Sequence, residues 1–192
     1  MTILSVQHVS KTYGKKHTFQ ALKDINFDIQ KGEFVAIMGP SGSGKTTLLN
    51  VLSSIDQISS GSVIANGQEL NKLNQKALAK FRKESLGFIF QDYSILPTLT
   101  VKENIMLPLS VQKMSKATME ENYKAITTAL GIYDLGNKYT SELSGGQQQR
   151  TAAARAFVHK PQIIFADEPT GALDSKSAND LLQRLEEMNK SF

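Results

Sequence analysis

The fold of this chain is decided by the stretch Gly39-Pro40-Ser41-Gly42-Ser43-Gly44-Lys45-Thr46, which fits the pattern G-x-x-x-x-G-K-[ST]. Glycines let a backbone curl until successive N–H groups point into one concavity, where they can meet phosphate oxygens. The alternative reading is a flexible Gly/Ser turn. The loop, however, lies between an apolar run and a helical segment, as a phosphate loop requires. We therefore predict that these eight residues and Thr47 form a nucleotide site.

Two side chains of this loop carry specific chemistry. Lys45 places a positive charge at the outer phosphates of a nucleotide. The Thr46 hydroxyl is a hard oxygen ligand of the kind that Mg²⁺ prefers. The helix that follows presents its positive N-terminal end to the same phosphates. The loop therefore predicts ATP and Mg²⁺ as ligands, with Lys45 also acting in catalysis.

The apolar segments alternate between strand-like and helix-like periods, which predicts an α/β sheet domain. Phe34-Val35-Ala36-Ile37-Met38 is apolar throughout, which is typical of a strand buried on both faces. The same reasoning predicts further strands at 3–9, 19–29, 86–90 and 163–166. It predicts helices at 46–52, 74–82 and 177–188. Residues 97–141 have helical patches at 101–107 and 117–130, and we interpret them as a helical insertion.

Composition excludes several classes of protein. The chain has 192 residues, 40% of them hydrophobic, which suits one globular domain with a sizeable core. It has no cysteine, which excludes disulfides and thiolate metal sites. We identify no signal peptide and no apolar run near the roughly 20 residues that span a bilayer. The net charge of +4 is mild. A solvated helix face explains the basic residues Lys72, Lys76, Lys80, Arg82 and Lys83, so no nucleic-acid partner is expected.

A pair of acidic residues follows the apolar run Ile163-Ile164-Phe165-Ala166. Ligands of open α/β sheets bind at the carboxyl ends of strands. We predict that Asp167 holds Mg²⁺ and that Glu168, whose side chain points elsewhere, orients or deprotonates the attacking water. Alone, two acids after an apolar run usually form a solvated turn. The phosphate loop in the same chain favours the catalytic interpretation.

A second glycine-rich motif, Leu143-Ser144-Gly145-Gly146-Gln147, begins a predicted helix that runs to about residue 159. Ser144 is a good N-cap, and the glycines expose backbone N–H groups at another anion-binding helix start. With this motif the chain resembles the ABC ATPase family, whose signature is LSGGQ. The resemblance implies a P-loop NTPase (RecA-like) core with an antiparallel β subdomain and an inserted α-helical subdomain. It implies one nucleotide-binding domain over 1–192, with the helical subdomain at about 97–141 plus the signature helix.

Further family motifs occur in the expected order. Tyr13 resembles the aromatic residue that stacks on adenine; without the resemblance, a tyrosine at a strand edge is the alternative. Gln91 resembles the glutamine that contacts Mg²⁺ or water and senses the permease. Residues 171–174, ending in Asp174, resemble the loop that crosses to the partner subunit.

The resemblance also implies a mechanism. Two subunits face each other head to tail, and Ser144, Gly145, Gly146 and Gln147 of one act in trans on the ATP held by the other. The chain is thus expected to work as a homodimer. It would couple ATP hydrolysis to an integral-membrane permease from the cytoplasmic face of a bacterial cell membrane.

Residues 90–97 and 99–109 resemble one branch of the family, the MacB, LolD and Bce-type ATPases. Residues 50–56 and 105–109 favour the Bce type, which implies antimicrobial-peptide resistance. Three alternatives remain: a lipoprotein or macrolide transport ATPase, an FtsE-like regulatory ATPase, and a soluble ABC protein acting on DNA or ribosomes. The last usually needs two cassettes or a long inserted arm.

The family also places a histidine beyond the last helix, and the chain ends at Phe192 before that position. We interpret His8, His17 and His159 as surface residues. We also expect the apolar stripe of the last helix to be bare, with Ala178, Leu181, Leu182, Leu185 and Met188 exposed. These expectations suggest a shortened chain that binds MgATP but hydrolyses it slowly; an equal rate in a chain extended through the histidine would refute this.

Overall fold

The computed structural model of the chain describes residues 1–14 and 17–191. They form two compact units, one from Met1 to Arg82 and one that begins at Lys83. The first unit contains an antiparallel sheet and the glycine-rich loop. The second contains a parallel strand pair and most of the helices.

The sheet of the first unit has four antiparallel strands in the order β2-β1-β3-β4. They are β1 (Thr2–Tyr13), β2 (Phe19–Gln30), β3 (Ser60–Ala65) and β4 (Gln68–Glu69). The predicted strands at 3–9 and 19–29 are confirmed, and both are longer than expected. Periodicity missed β3 and β4, since β3 begins with Ser and Gly and β4 has only two residues.

The burial pattern of strand β1 explains why its apolar residues alternate only loosely. Leu4 and Val6 are buried, and then Val9 and Lys11 are buried, so the inward phase slips by one residue between the two pairs. The register with β2 shifts at the same place, and His8 there has a positive φ of 50°. Such a bulge re-aims the side chains that follow it. Lys11 therefore points inward and Tyr13 lies at the end of the strand.

The first unit also contains helix α1 (Lys45–Leu52) and, up to Arg82, helix α2 (Gln75–Ser85), with a short 3-10 turn at Leu70–Lys72 before α2. Both agree with the predicted helices within three residues at each end. Each buries one apolar side: Leu48, Val51 and Leu52 on α1, and Leu78 and Phe81 on α2.

The predicted buried strand Phe34–Met38 is wrong. In the part of the chain that the structure describes, these residues belong to no strand, and Phe34, Val35, Ile37 and Met38 are 53%, 51%, 40% and 90% exposed. A strand buried on both faces needs a paired neighbour and cover on each side. The four strands of this unit pair only with one another, so the apolar run has no ladder to join.

The second unit combines strands β5 (Leu86–Ile89) and β6 (Ile163–Ala166), paired in parallel, with four helices. The helices are α3 (Val101–Val111), α4 (Lys116–Ala129), α5 (Gly145–Phe157) and α6 (Ser175–Ser191). Short 3-10 turns occur at Tyr133–Leu135 and Thr140–Glu142. Within the described residues, the only β contact of 97–141 is an isolated bridge between Thr100 and Tyr139, so the helical insertion is confirmed.

Helix α5 lies against β5 at close range. A Cβ built on Gly87 of β5 would lie nearer to the carbonyl oxygen of Ala156 on α5 than real Cβ atoms approach. Helix α5 is rich in small buried residues, among them Ala152, Ala153 and Ala154. Only glycine at position 87 lets helix and strand backbones approach this closely.

The expected bare stripe on α6 is wrong. Leu181, Leu185 and Met188 are buried and belong to the same apolar cluster as residues of α3, α4 and α5. Leu182 is 38% exposed. The Arg184 guanidinium donates to the carbonyl oxygen of Ala129, at the end of α4, at 2.8 Å. The stripe therefore contributes to the core of the second unit.

The exposure of the three histidines agrees with the expectation for two of them and differs for the third. His8 and His17 are exposed as predicted, but His159 is half-buried just after α5. Its Nε2 lies 3.0 Å from the carbonyl oxygen of Leu86, and its buried Nδ1 has no hydrogen-bond partner among the described residues. A neutral ring that donates through Nε2 and carries no proton on Nδ1 fits both observations. Burial lowers the pKa of His159, against the opposing hydrogen bond to Leu86.

Acidification is expected to destabilise the chain through His159. Because its pKa is lowered in the folded state, the unfolded chain takes up a proton first as the pH falls below about 6.5. Stability is thus complete above that pH and declines below it, by at most about 1.4 kcal/mol per pH unit for one proton. Urea unfolding at pH 7.5 and 5.5 should show a smaller loss in His159→Gln than in the wild type. His17→Gln should behave as the wild type, and equal losses in all three chains would contradict the assignment.

Candidate functional site

The glycine-rich loop leads directly into α1 and is open to solvent. Ser41, Gly42 and Ser43 are exposed, and the N-cap residue Gly44 makes no side-chain cap hydrogen bond. The first N–H groups of a helix lack partners within the helix and carry its positive dipole end. No side chain of the N-cap residue therefore competes with an anion at this helix start.

Lys45 bends back over this loop. Its Nζ donates to the carbonyl oxygens of Gly39 and Pro40, both at 2.9 Å. The N–H of Ser43 donates to the same Pro40 carbonyl at 3.3 Å and closes a tight turn. The ammonium group is thus held over the loop in which phosphate oxygens are predicted to lie.

Gly44 fixes the conformation of the loop. Its φ of 92° belongs to the left-handed region, and a Cβ there would lie 2.7 Å from the carbonyl oxygen of Ala21 on β2. An L side chain would be strained by the backbone angle and would also collide with a strand. This position requires glycine for two independent reasons.

Tyr13 lies at the end of β1 within the same unit. Its ring is partly exposed, and its hydroxyl donates to Asp56 Oδ2 at 2.7 Å. Burial and the hydrogen bond to Asp56 raise the pKa of Tyr13, and a hydrogen bond with Thr47 of α1 opposes them. Tyr13 and the phosphate-loop helix therefore lie side by side.

The acidic strand end lies in the second unit. The Asp167 N–H donates to the carbonyl oxygen of Ile89 at 3.0 Å, which continues the parallel pairing by one residue. A Cβ built on Gly171 would lie 3.3 Å from Gln91 Nε2 and 3.4 Å from Glu168 Oε2. Gln91, Asp167 and Glu168 thus gather at the carboxyl ends of β5 and β6. Glu168 has a positive φ of 45°, a strained value of the kind that clusters at active sites.

The signature motif forms the start of α5. The Ser144 hydroxyl accepts the N–H of Gln147 at 3.4 Å, and the Gln147 side chain accepts the N–H of Ser144 at 2.9 Å. This capping box orders Ser144 and Gln147 within their own chain. Gly145 and Gly146 lie between them. The helix ends at Phe157, two residues before the predicted end.

Two residues of α5 that the sequence reasoning missed hold the neighbouring loops. Buried Gln149 donates to the carbonyl oxygen of Pro169, just after Glu168, at 2.6 Å. The Arg155 guanidinium donates to the carbonyl oxygens of Ser94 and Tyr93 at 2.6 and 3.2 Å. Both latter residues have positive φ, so Arg155 stabilises a strained loop just after Gln91. The signal in the sequence that could have revealed them is a polar residue at a position expected to be buried within the alanine-rich helix α5.

Asp174 caps α6. Its carboxylate accepts the N–H groups of Lys176 and Ser177 at 3.0 and 3.1 Å and the Ser177 hydroxyl at 2.6 Å. These hydrogen bonds, that of the Ser177 hydroxyl above all, lower the pKa of Asp174. The structure thus gives Asp174 a role within its own chain, beside the predicted one toward a partner.

The predicted site residues fall into two groups. Tyr13 and the phosphate loop belong to the first unit. Gln91, the acidic pair, the signature and Asp174 belong to the second. Within the described residues, no helix is long and apolar enough to span a bilayer.

Comparison with known proteins establishes the class. The ABC transporter family profile matches residues 22–171, and the chain belongs to this family as the ATP-binding subunit of a transporter. It is an ATPase domain. Over 193 residues it is 59% identical to the bacitracin export ATP-binding protein BceA of Halalkalibacterium halodurans, covering 100% of this chain and 76% of the relative. The predicted family, and the resemblance to its Bce-type members, are confirmed.

Two further relatives support the assignment. The ABC transporter ATP-binding protein YxdL of Bacillus subtilis is 53% identical over 98% of this chain and 73% of its own length. The post-hydrolysis dimer of the Methanocaldococcus jannaschii cassette MJ0796, solved with ADP and Pi, matches with a TM-score of 0.88. It is 39% identical over 98% of this chain and 83% of the other. The predicted P-loop fold, with its antiparallel sheet and helical subdomain, is confirmed.

Gly44→Ala is expected to weaken nucleotide binding more than replacement of a glycine whose new Cβ would contact no other atom. The new Cβ meets Ala21 at 2.7 Å, so the loop must shift and ATP affinity should fall by about tenfold or more. The control is Gly32→Ala, since Gly32 has a similar φ of 84° but no atom within 4 Å of a built Cβ. The control should lose about 1 kcal/mol of unfolding free energy with ATP affinity unchanged. Titration calorimetry and urea unfolding measure both, and equal ATP affinity in the two variants would refute the argument.

Proposed function

We propose that this chain binds MgATP between its phosphate loop and the signature of a second copy, and that hydrolysis drives a membrane permease that removes antimicrobial peptides. The observation that carries the nucleotide part is the start of α1, which lacks a side-chain cap and has Lys45 folded over the preceding loop. The observation that supports the peptide part is the 59% identity to a bacitracin export ATP-binding protein.

Each predicted residue has a role in this proposal. Residues 39–47 hold the phosphates, with Lys45 neutralising the outer ones and contributing to catalysis. Tyr13 stacks on the base. Glu168 orients or deprotonates the attacking water. The contact of Gln91 and Glu168 with Gly171 supports a shared place for them beside the reacting phosphate.

The residues present fit Mg²⁺ as a nucleotide-borne ion. Among the described residues, no three His, Asp or Glu side chains are grouped as an all-protein metal site would need. Mg²⁺ in nucleotide enzymes instead uses one or two protein oxygens together with phosphates and waters. Thr46, Gln91 and Asp167 would supply a hydroxyl, an amide oxygen and a carboxylate. When bound, the ion would neutralise charge on the transferring phosphate.

A head-to-tail pair of chains completes the proposed site. A solved relative, MJ0796, is described as dimeric with ADP and Pi bound. In such a pair Ser144, Gly145, Gly146 and Gln147 of one copy face the nucleotide of the other, and Asp174 lies at the crossing loop. The capping box orders this helix start, where Gly145 and Gly146 are half-buried and carry no side chains, which suits a γ-phosphate.

The permease partner and the location follow from the family. We propose that the chain works at the cytoplasmic face of a bacterial membrane, attached to a separate integral-membrane subunit. An FtsE-like regulatory ATPase, or a lipoprotein or macrolide transport ATPase, would use the same nucleotide chemistry with another membrane partner.

Replacing Glu168 tests the catalytic part. Glu168→Gln should lower the rate of ATP hydrolysis by at least about 100-fold, since a neutral amide cannot accept the proton of water. ATP affinity should stay within about twofold, because binding depends on the phosphate loop. Phosphate release and titration calorimetry separate the two quantities.

The matched control is Glu186→Gln on α6, where an exposed carboxylate pairs with Lys190. It should hydrolyse ATP at the wild-type rate. Hydrolysis by Glu168→Gln at the control's rate would exclude Glu168 as the base.

Deletion of the gene tests the peptide part. Cells without this chain should become several-fold more sensitive to bacitracin-like peptides, and wild-type but not Glu168→Gln protein should restore resistance. A pull-down should recover a polytopic permease. Unchanged peptide sensitivity together with a division or cell-wall defect would favour the FtsE-like alternative instead.

A further inference from the structure

Lys11 stands out in the first unit because it is a buried cation that the proposed chemistry does not use. In the part of the chain that the structure describes, it is the only charged residue that is buried, with 8% of its surface exposed. Burying an ammonium group is costly unless its charge is paired and its hydrogens are bonded. Its surroundings therefore show what the charge is for.

Lys11 is paired with Asp56 close to Tyr13. The Lys11 Nζ donates to Asp56 Oδ1 at 2.7 Å and to the carbonyl oxygen of Gln57 at 2.6 Å. The other carboxylate oxygen, Oδ2, accepts the Tyr13 hydroxyl at 2.7 Å. Burial raises the pKa of Asp56, but hydrogen bonds from Lys11, Tyr13 and the Gln57 N–H outweigh it, and the pKa is lowered. The carboxylate thus stays charged and links the lysine to the tyrosine.

Asp56 is in turn tied to the phosphate-loop helix. The carbonyl oxygen of Asn50, on α1, accepts the N–H groups of Ile55 and Asp56 at 2.9 and 3.1 Å. The segment just beyond is tied to β1, because Ser59 donates to the Ser10 carbonyl at 2.9 Å and accepts the Thr12 N–H at 3.0 Å. The end of α1 and the end of β1 are therefore connected through Asp56.

The lysine also occupies one face of the tyrosine ring. Its Nζ lies 4.7 Å from the ring centroid, within the range of a cation–π contact. A cation on one face leaves the opposite face for a stacking partner. Tyr13 is 39% exposed, so part of its ring remains accessible.

We propose that Lys11 and Asp56 are positioning residues for the base of the nucleotide. They hold the Tyr13 ring in one orientation relative to the phosphate-loop helix, so that the base stacks on a ring already in place. The inference rests on the proposed function, in which Tyr13 stacks on the base. Ordering the ring before binding removes an entropy cost that would otherwise weaken stacking.

The competing interpretation is a structural tie between β1 and the segment after α1. Both interpretations predict that breaking the Lys11–Asp56 pair lowers stability. Only the positioning role predicts that the loss of affinity depends on the base, because a ligand made of phosphates alone does not touch Tyr13. Comparing ATP with inorganic tripolyphosphate therefore separates them.

The experiment measures the affinities of Mg²⁺-ATP and Mg²⁺-tripolyphosphate by titration calorimetry on Asp56→Asn and Lys11→Met. We expect ATP affinity to fall roughly threefold to tenfold in each, a part of what losing a stacked aromatic costs. Tripolyphosphate affinity should stay within about twofold. In a Tyr13→Leu background, neither substitution should change ATP affinity further, because there is no ring left to position.

Lys102→Met is the matched control. Lys102 also pairs with a carboxylate, Glu120 at 2.7 Å, and lies 5.3 Å above the Tyr123 ring, but none of these is a predicted site residue. It should bind both probes as the wild type does. If Lys11→Met does not fold, Asp56→Asn carries the same test, since its shape is that of aspartate.

Five outcomes would overturn the proposal. Equal weakening of both probes, or an ATP loss that persists in the Tyr13→Leu background, would assign the pair a structural role. ATP affinity unchanged in Asp56→Asn and Lys11→Met would show that the ring needs no support. If the wild-type chain binds tripolyphosphate and binds ATP no more tightly, base stacking is refuted but phosphate binding is not. If the wild-type chain binds neither probe, the proposed nucleotide function is refuted as well.

Discussion

The close approach of α5 to β5 is the constraint on which the second unit depends. Gly87 has no side chain, so the backbone of α5 at Ala156 lies directly against the strand. Once that distance is set, Gln149 reaches the loop after Glu168, and Arg155 reaches the loop after Gln91. One helix thus positions the signature at its start, the acidic loop near its middle and the Gln91 loop near its end. A larger residue at position 87 would move all three.

The two glycine-rich helix starts use the same physics in different ways. At α1 the cap residue is Gly44, which offers no side-chain acceptor that would compete with a bound phosphate at the helix start. At α5 the cap is Ser144 within a capping box, which orders the helix start, and the half-buried Gly145 and Gly146 add no side chains there. The first arrangement suits a phosphate chain that enters a loop. The second suits a rigid surface presented to the nucleotide of another copy.

Sequence patterns were reliable where local physics dominates. Local patterns of this kind depend on residues a few positions apart, and the structure agrees with them. They are the phosphate-loop motif, the signature N-cap and the helical periods of α3, α4 and α6. Patterns failed where a distant partner decides. The run Phe34–Met38 is apolar enough for a buried strand, yet it is exposed because no strand of its unit pairs with it. The stripe of α6 was expected to be bare, yet Leu181 and Leu185 are buried because α3, α4 and α5 supply the other side of the core.

The sequence by itself determined the family, and it predicted the phosphate loop with Lys45 and Thr46, the acidic pair and the signature, since each is a short motif whose spacing carries the chemistry. The tertiary structure alone decided which other residues support them. Lys11 turns inward only because β1 slips by one residue near His8, and Asp56 meets it from 45 positions along the chain. Gln149 and Arg155 act on loops that α5 reaches only when it lies against β5. Such contacts join residues far apart in sequence, and no local period records them, because burial and pairing are set by the packed backbone.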